Sequence, residues 1–180
     1  MQALRPSFLE VDLKTIVAHT LTYFLLGILS ALFFDYSARF ADPVVAAYFR
    51  QTSDPIVMAG VLFQPIRGIL LGAVLFLLRE PLFHRKYGWL TLWAALVVVG
   101  ILSVYIGAPG SLEGLVYTKV PFSLQLSLLP EVLIQTLLFS AFLYYWVNHP
   151  EKKWLSWLLV VLFFLILILP ALGLLFSRPS

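Results

Sequence analysis

Gln64, Arg67, Glu131 and Gln135 are the residues whose types and spacing could do chemistry, because each falls inside a long apolar stretch. A guanidinium in the middle of a bilayer costs about 2.5–3.5 kcal/mol on insertion scales, and arginine cannot shed its proton to escape that cost. It must find a counter-charge, a ligand or water. Gln64 lies three residues before Arg67, on the same face if the segment is helical. Gln135 lies four residues after Glu131 and shares its face in the same way. The four would form a polar site able to hold a proton, an ion or a small anionic group.

The spacing also sets the depth of each residue. Arg67 lies about a dozen residues into its stretch, which at 1.5 Å per residue is roughly the bilayer midplane. If both stretches cross in the same direction, Glu131 sits about as deep as Gln64, and Gln135 about as deep as Arg67. A bridge from Arg67 to Glu131 then needs a vertical reach of about 6 Å, within range of an arginine side chain. Pro65 withholds a backbone donor beside this site, and Gly68 allows a neighbouring helix to come close. Two readings follow. In one, Arg67 and Glu131 pair and simply fix how their helices pack. In the other, they line a polar cavity that takes a ligand, with Glu131 facing an outer vestibule as a variant.

The elements that must position these residues are transmembrane helices. The chain has 180 residues, of which 61% are hydrophobic and 12% charged, with a mean hydropathy of +0.95. Soluble domains carry roughly twice that share of charge and fewer apolar residues, so lipid must be part of the solvent. Five apolar stretches at about 16–34, 56–78, 89–106, 123–147 and 154–176 read as spans of one all-α domain, 1–180. The first is longer than a signal-peptide core and lacks a good cleavage site after it. Asp42-Pro43 and Asp54-Pro55 each spell an N-cap followed by the first helical position. The first pair opens a short interfacial helix over about 43–51, and the second opens the second span. Pro170 is expected to kink the last span.

Charge and aromatic placement orient the bundle. Arg5, Lys14, Arg79, Arg85, Lys86, Lys152 and Lys153 share one side, against Arg39, Arg50, Lys119 and Arg178 on the other. Lys and Arg accumulate on the cytoplasmic side, so the expectation is an N-terminus inside and a C-terminus outside, in a plasma (inner) membrane. Trp89, Trp93, Trp146, Trp154 and Trp157 fall at the same ends of the spans and would form one interfacial belt. The basic rim is explained by anionic lipid headgroups.

Several classes of function find no support. The net charge is +3, but no run of five basic residues exists, so nucleic acid is not an expected partner. The chain has no cysteine, which removes thiolate chemistry, disulfides and Cys-based clusters. His19, His84 and His149 have no ligand spacing on one helix, so no metal or other cofactor is expected. No hydrolase, P-loop or metalloprotease signature occurs, and enzyme activity is not favoured. The loop 107–122, with its Pro109-Gly110 turn, reads as surface or as a lid over Arg67. Three functions remain: a small transport or channel-like protein, most simply a homo-oligomer; an accessory subunit packed among other membrane subunits; and a lipid-acting enzyme with Glu131 as acid or base. Membrane lipids are partners in all three.

Overall fold

The computed structural model describes residues 6–176, so the charges of Arg5 and Arg178 in the orientation argument lie outside the described residues. Every element within that range is helical. The first helix, α1 (Phe8–Phe34), starts eight residues before the expected span. Ser7 accepts a hydrogen bond from the Glu10 amide at 3.2 Å, and the Ser-x-x-Glu spelling is that of a capping box. This helix is 27 residues long, about 40 Å, and it ends where Asp35 turns left-handed with φ 41°.

Both Asp-Pro pairs act as helix openings. Asp42 caps the short α3 (Pro43–Ala46) by accepting from the Val44 amide at 2.8 Å. A further helix, α2 (Tyr36–Ala41), precedes it, and of the single helix expected over about 43–51 only Pro43–Ala46 is helical, followed by a turn. Asp54 caps α4 (Pro55–Met58) through the Ile56 amide at 2.9 Å. A 3-10 turn over Gly60–Phe63 then leads into α5 (Gln64–Leu77). Pro65 sits in the first turn of α5, where its missing N–H leaves no helical bond unmade.

The short α6 (Arg79–Phe83) turns the chain into α7 (Gly88–Val97), which continues as a π turn over Val98–Leu102. A small helix, α8 (Leu112–Tyr117), lies in the following loop. The long helices α9 (Phe122–Asn148) and α10 (Lys153–Phe176) pass through Pro130 and Pro170 without breaking. Among the described residues four helical stretches are long and apolar enough to cross a membrane: Phe8–Phe33, Gly60–Leu77, Phe122–Asn148 and Lys153–Gly173. The expected third span is a shorter apolar helix, Gly88–Leu102.

Packing is organised around α1, which contacts α5, α9 and α10. The α1–α5 seam depends on Gly68 and Gly72, one helical turn apart. A Cβ on Gly68 would lie 2.6 Å from Ile16 Cα, and one on Gly72 would lie 2.8 Å from Asp12 Cα. Small residues at this spacing let two backbones approach where hydrocarbon provides no hydrophobic drive. On its other side α1 packs with α9, and α7 packs on α9. The core holds Val11, Ala18, Leu92, Phe139, Leu143 and Trp146. The expected neighbourhood of the second and fourth spans is therefore corrected: α1 stands between α5 and α9, and α5 and α9 scarcely touch.

The two ends of the bundle differ. At the basic end Lys14 pairs with Glu10 at 2.7 Å and donates to the Trp146 carbonyl at 3.1 Å, while the Tyr144 hydroxyl donates to the Arg85 carbonyl at 2.9 Å. At the loop end Val45, Val120 and Leu124 form a second, smaller core with Phe40 and Phe49.

Candidate functional site

The first helix runs through one of the apolar stretches, yet among the described residues it carries most of the buried polar groups. Asp12, Thr15, His19, Thr20, Thr22 and Ser30 are all buried on it. The three threonines are chemically silent. Their hydroxyls donate to the Val11, Ile16 and Ala18 carbonyls of the preceding turn at 2.7, 2.8 and 2.8 Å. Asp12, His19, Tyr23 and Ser30 recur at helical spacing and define one polar stripe. Asp12 Oδ1, against Gly72, is a buried side-chain oxygen with no hydrogen-bond partner.

His19 and Gln64 meet across the α1–α5 seam, with Nε2 and Oε1 3.1 Å apart. The Gln64 amide is oriented by its other end, which donates to the Gly60 carbonyl at 3.0 Å. Reversing that amide would set two oxygens against each other. Gln64 therefore presents its oxygen to His19, and the His19 Nε2 must carry the hydrogen. The ring is braced edge-to-face against Phe139 at 5.6 Å between centroids, and its Nδ1 is the remaining acceptor.

A cavity of about 140 Å³ opens beside this pair. His19, Arg67, Gln135 and Thr136 line it, with Gly100 and Ile101 of the π turn on the facing wall. The Thr136 hydroxyl is occupied by the Val132 carbonyl at 2.8 Å. Arg67 and Gln135 make no hydrogen bond or ion pair among the described residues. The π turn is the wide form of helix that recurs at functional sites. Ser103 closes it by donating through both its amide (2.8 Å) and its hydroxyl (2.7 Å) to the Val98 carbonyl.

Glu131 is held elsewhere. It accepts from the Tyr36 hydroxyl and from Ser30. The ion pairs among the described residues are Glu10–Lys14, Arg50–Asp54 and Glu80–His84. The expected Arg67–Glu131 bridge is not among them; α1 and α2 instead bring the Ser30 and Tyr36 hydroxyls to the carboxylate. Tyr23, one turn along α1 from His19, interacts electrostatically with both Glu131 and Arg67. Of the four residues singled out by spacing, the fold thus gathers Gln64, Arg67 and Gln135 around His19 and sets Glu131 apart.

The remaining features lie away from this cavity. Among the described residues no three His, Asp or Glu side chains gather in a way that could hold a metal ion. His84 pairs with Glu80 at 3.5 Å, and His149 stacks on Tyr145 at the basic end. The loop 107–121 is ordered by Gln125. Its oxygen accepts from the Gly110 amide at 3.2 Å, and its amide donates to the Val120 and Gly114 carbonyls at 3.0 and 3.3 Å. A groove of about 510 Å³, apolar except for Thr22, runs between α1, α9 and α10.

Fold and site together define an all-helical protein whose helices are apolar enough to cross a membrane, with a polar cavity among them. No protein family, curated protein or solved structure matches the chain.

Proposed function

We propose that the chain crosses the membrane five times and uses the cavity at Arg67 to bind a small planar oxyanion, as a transport or channel-like protein does. The observation that supports this reading is a guanidinium with no hydrogen bond or ion pair among the described residues. A helix-locking role needs Arg67 and Glu131 paired, and Glu131 is instead bound by Tyr36 and Ser30. Arg67 faces a cavity whose polar lining among the described residues is the Gln135 amide, the His19 ring and the Thr136 hydroxyl. A charge at this depth needs a partner. Its parallel N–H donors fit two oxygens of one planar group. At about 30 Å³ per liquid water, 140 Å³ accommodates nitrate, formate or acetate.

The crossing count rests on where the ends of α7 are tied. Arg85 is bound at the basic end by Tyr144, and Gly110 at the loop end by Gln125. These two ties support a crossing by the segment between them, although its helix is short. The positive-inside tendency places the basic end in the cytoplasm, consistent with a plasma membrane protein. Because the chain has no cysteine, Lys86→Cys and Lys119→Cys can report the sidedness directly. Labelling from opposite faces supports five crossings; labelling from the same face removes one.

The binding reading is tested by thermal unfolding in nanodiscs with nitrate, formate or acetate against gluconate at equal ionic strength. The small anions should stabilise the wild type, and Arg67→Gln should abolish the effect. Equal responses of the two proteins would end this reading. An assembly role is the second reading, favoured by α10, where Trp154 and Trp157 are 66% and 74% exposed. Co-purification with unrelated chains in fixed stoichiometry would carry it.

A further inference from the structure

The His19 ring and the Arg67 guanidinium line the same 140 Å³ cavity, and His19 is 4% exposed. Its Nε2–H is committed to Gln64, whose amide is fixed in turn by the Gly60 carbonyl. The ring can therefore gain a proton only at Nδ1. The groups that face it are few. From α5 these are Arg67 and the neutral Gln64. From α9 they are Phe139, Gln135 and Thr136, with Glu131 farther along and bound to Tyr36 and Ser30. From α7 they are Leu96, Gly100 and Ile101. On its own helix Tyr23 lies one turn away and Asp12 two turns away, against Gly72. The α10 residues that face the middle of α1 across the large groove, Leu159, Leu162 and Ile166, are apolar. Arg67 is thus the charged group that shares the cavity with His19.

Two cations lining one cavity of about 140 Å³ repel. An anion seated on Arg67 removes that opposition, and its oxygens offer the new N–H an acceptor. By linkage, a proton that favours the anion is also favoured by it. Resting on the oxyanion reading above, we infer that the cavity is a proton-coupled site: each small oxyanion bound at Arg67 is accompanied by one proton taken up at His19 Nδ1. Bound anion and bound proton together leave the charge of the cavity unchanged, which suits passage of the pair through a low-dielectric membrane.

The test uses nitrate, which cannot carry the proton itself. Nitrate is titrated calorimetrically into the full-length protein in nanodiscs near about pH 7, in buffers of different ionisation enthalpy, which reports protons taken up per anion. The expected result is uptake of about one proton per nitrate, with affinity falling about tenfold per pH unit where the free protein is unprotonated. His19→Gln keeps an N–H near the Nε2 position for Gln64. It should bind nitrate only weakly, at the level the wild type shows at high pH, and with no proton uptake. Nitrate binding by the wild type without uptake overturns the coupling and leaves the anion site standing. Uptake that persists in His19→Gln assigns the proton to another group and overturns the inference. Failure of the wild type to bind any of nitrate, formate or acetate overturns the anion site and the coupling with it.

Discussion

The Tyr36 hydroxyl donates to Glu131 Oε2, tying the segment after α1 to the middle of α9 across 95 residues of sequence. This contact occupies the carboxylate that would otherwise be the natural counter-charge of Arg67. A hydroxyl bonded to a half-buried carboxyl group contributes about 1–2 kcal/mol, and the share belonging to the pair is isolated by a double-mutant cycle. Tyr36→Phe and Glu131→Gln should therefore couple by about 1 kcal/mol or more in reversible unfolding. Arg67→Met and Glu131→Gln should be additive to within about 0.5 kcal/mol. Strong coupling in the second cycle would restore the Arg67–Glu131 bridge.

The α1–α5 seam makes a prediction that discriminates among glycines. Gly68→Ala and Gly72→Ala each drive a methyl into the backbone of α1, at Ile16 and Asp12. Overpacking of this kind costs about 1–3 kcal/mol. Gly27→Ala and Gly100→Ala place the methyl in open space and should be tolerated. Thermal unfolding of the four variants in one detergent orders them. A cost for Gly100→Ala comparable to that for Gly68→Ala would contradict the seam.

Legibility in the sequence followed the strength of each local signal. The helices α9 and α10 fall within a residue of the expected spans because a long, predominantly apolar run bounded by polar turns leaves little choice. The Asp42 and Asp54 caps were equally plain. The start of α1 was misplaced because Glu10, Asp12 and Lys14 read as pre-membrane polarity, although Ser7 and Glu10 spell the cap. That error moved His19 to the edge of its span and hid the stripe through Tyr23 and Ser30. Matched depth along parallel spans suggested that Arg67 and Glu131 meet. Depth does not specify which helix stands between them, and α1 does. The π turn left no trace, since Val98–Leu102 is uniformly apolar and carries no periodicity.

Asp54 makes a pH prediction outside the spans. The Ile56 amide, and then Arg50 at 2.9 Å, hold its carboxyl below the ordinary carboxylate value. A lowered folded value means that its contribution is fully present above the unfolded value of about 3.9 and is lost as pH falls through the lowered one. Hydrogen exchange at the amides of α4 should therefore accelerate in acid before the long helices respond. Asparagine caps about as well as aspartate. Asp54→Asn should keep α4 formed and remove the acid sensitivity. Sensitivity that survives in Asp54→Asn would assign it to another group.

Gln125 and Gln135 lie ten residues apart on α9 and should behave oppositely. Gln125 is 2% exposed and satisfies the Gly110 amide together with the Gly114 and Val120 carbonyls. Gly110 holds a left-handed turn with φ 86°, so its amide has few other routes to a partner. Gln125→Leu should cost about 2–4 kcal/mol by leaving buried backbone groups unpaired, and it should loosen the 107–121 loop. Gln135 makes no such bonds and lines the cavity. Gln135→Leu should change stability by less than about 0.5 kcal/mol while weakening nitrate binding, because it removes a donor that only a ligand would use. Unfolding measured beside nitrate titration separates the two roles. If Gln135→Leu leaves nitrate affinity unchanged, Arg67 and His19 hold the anion without it.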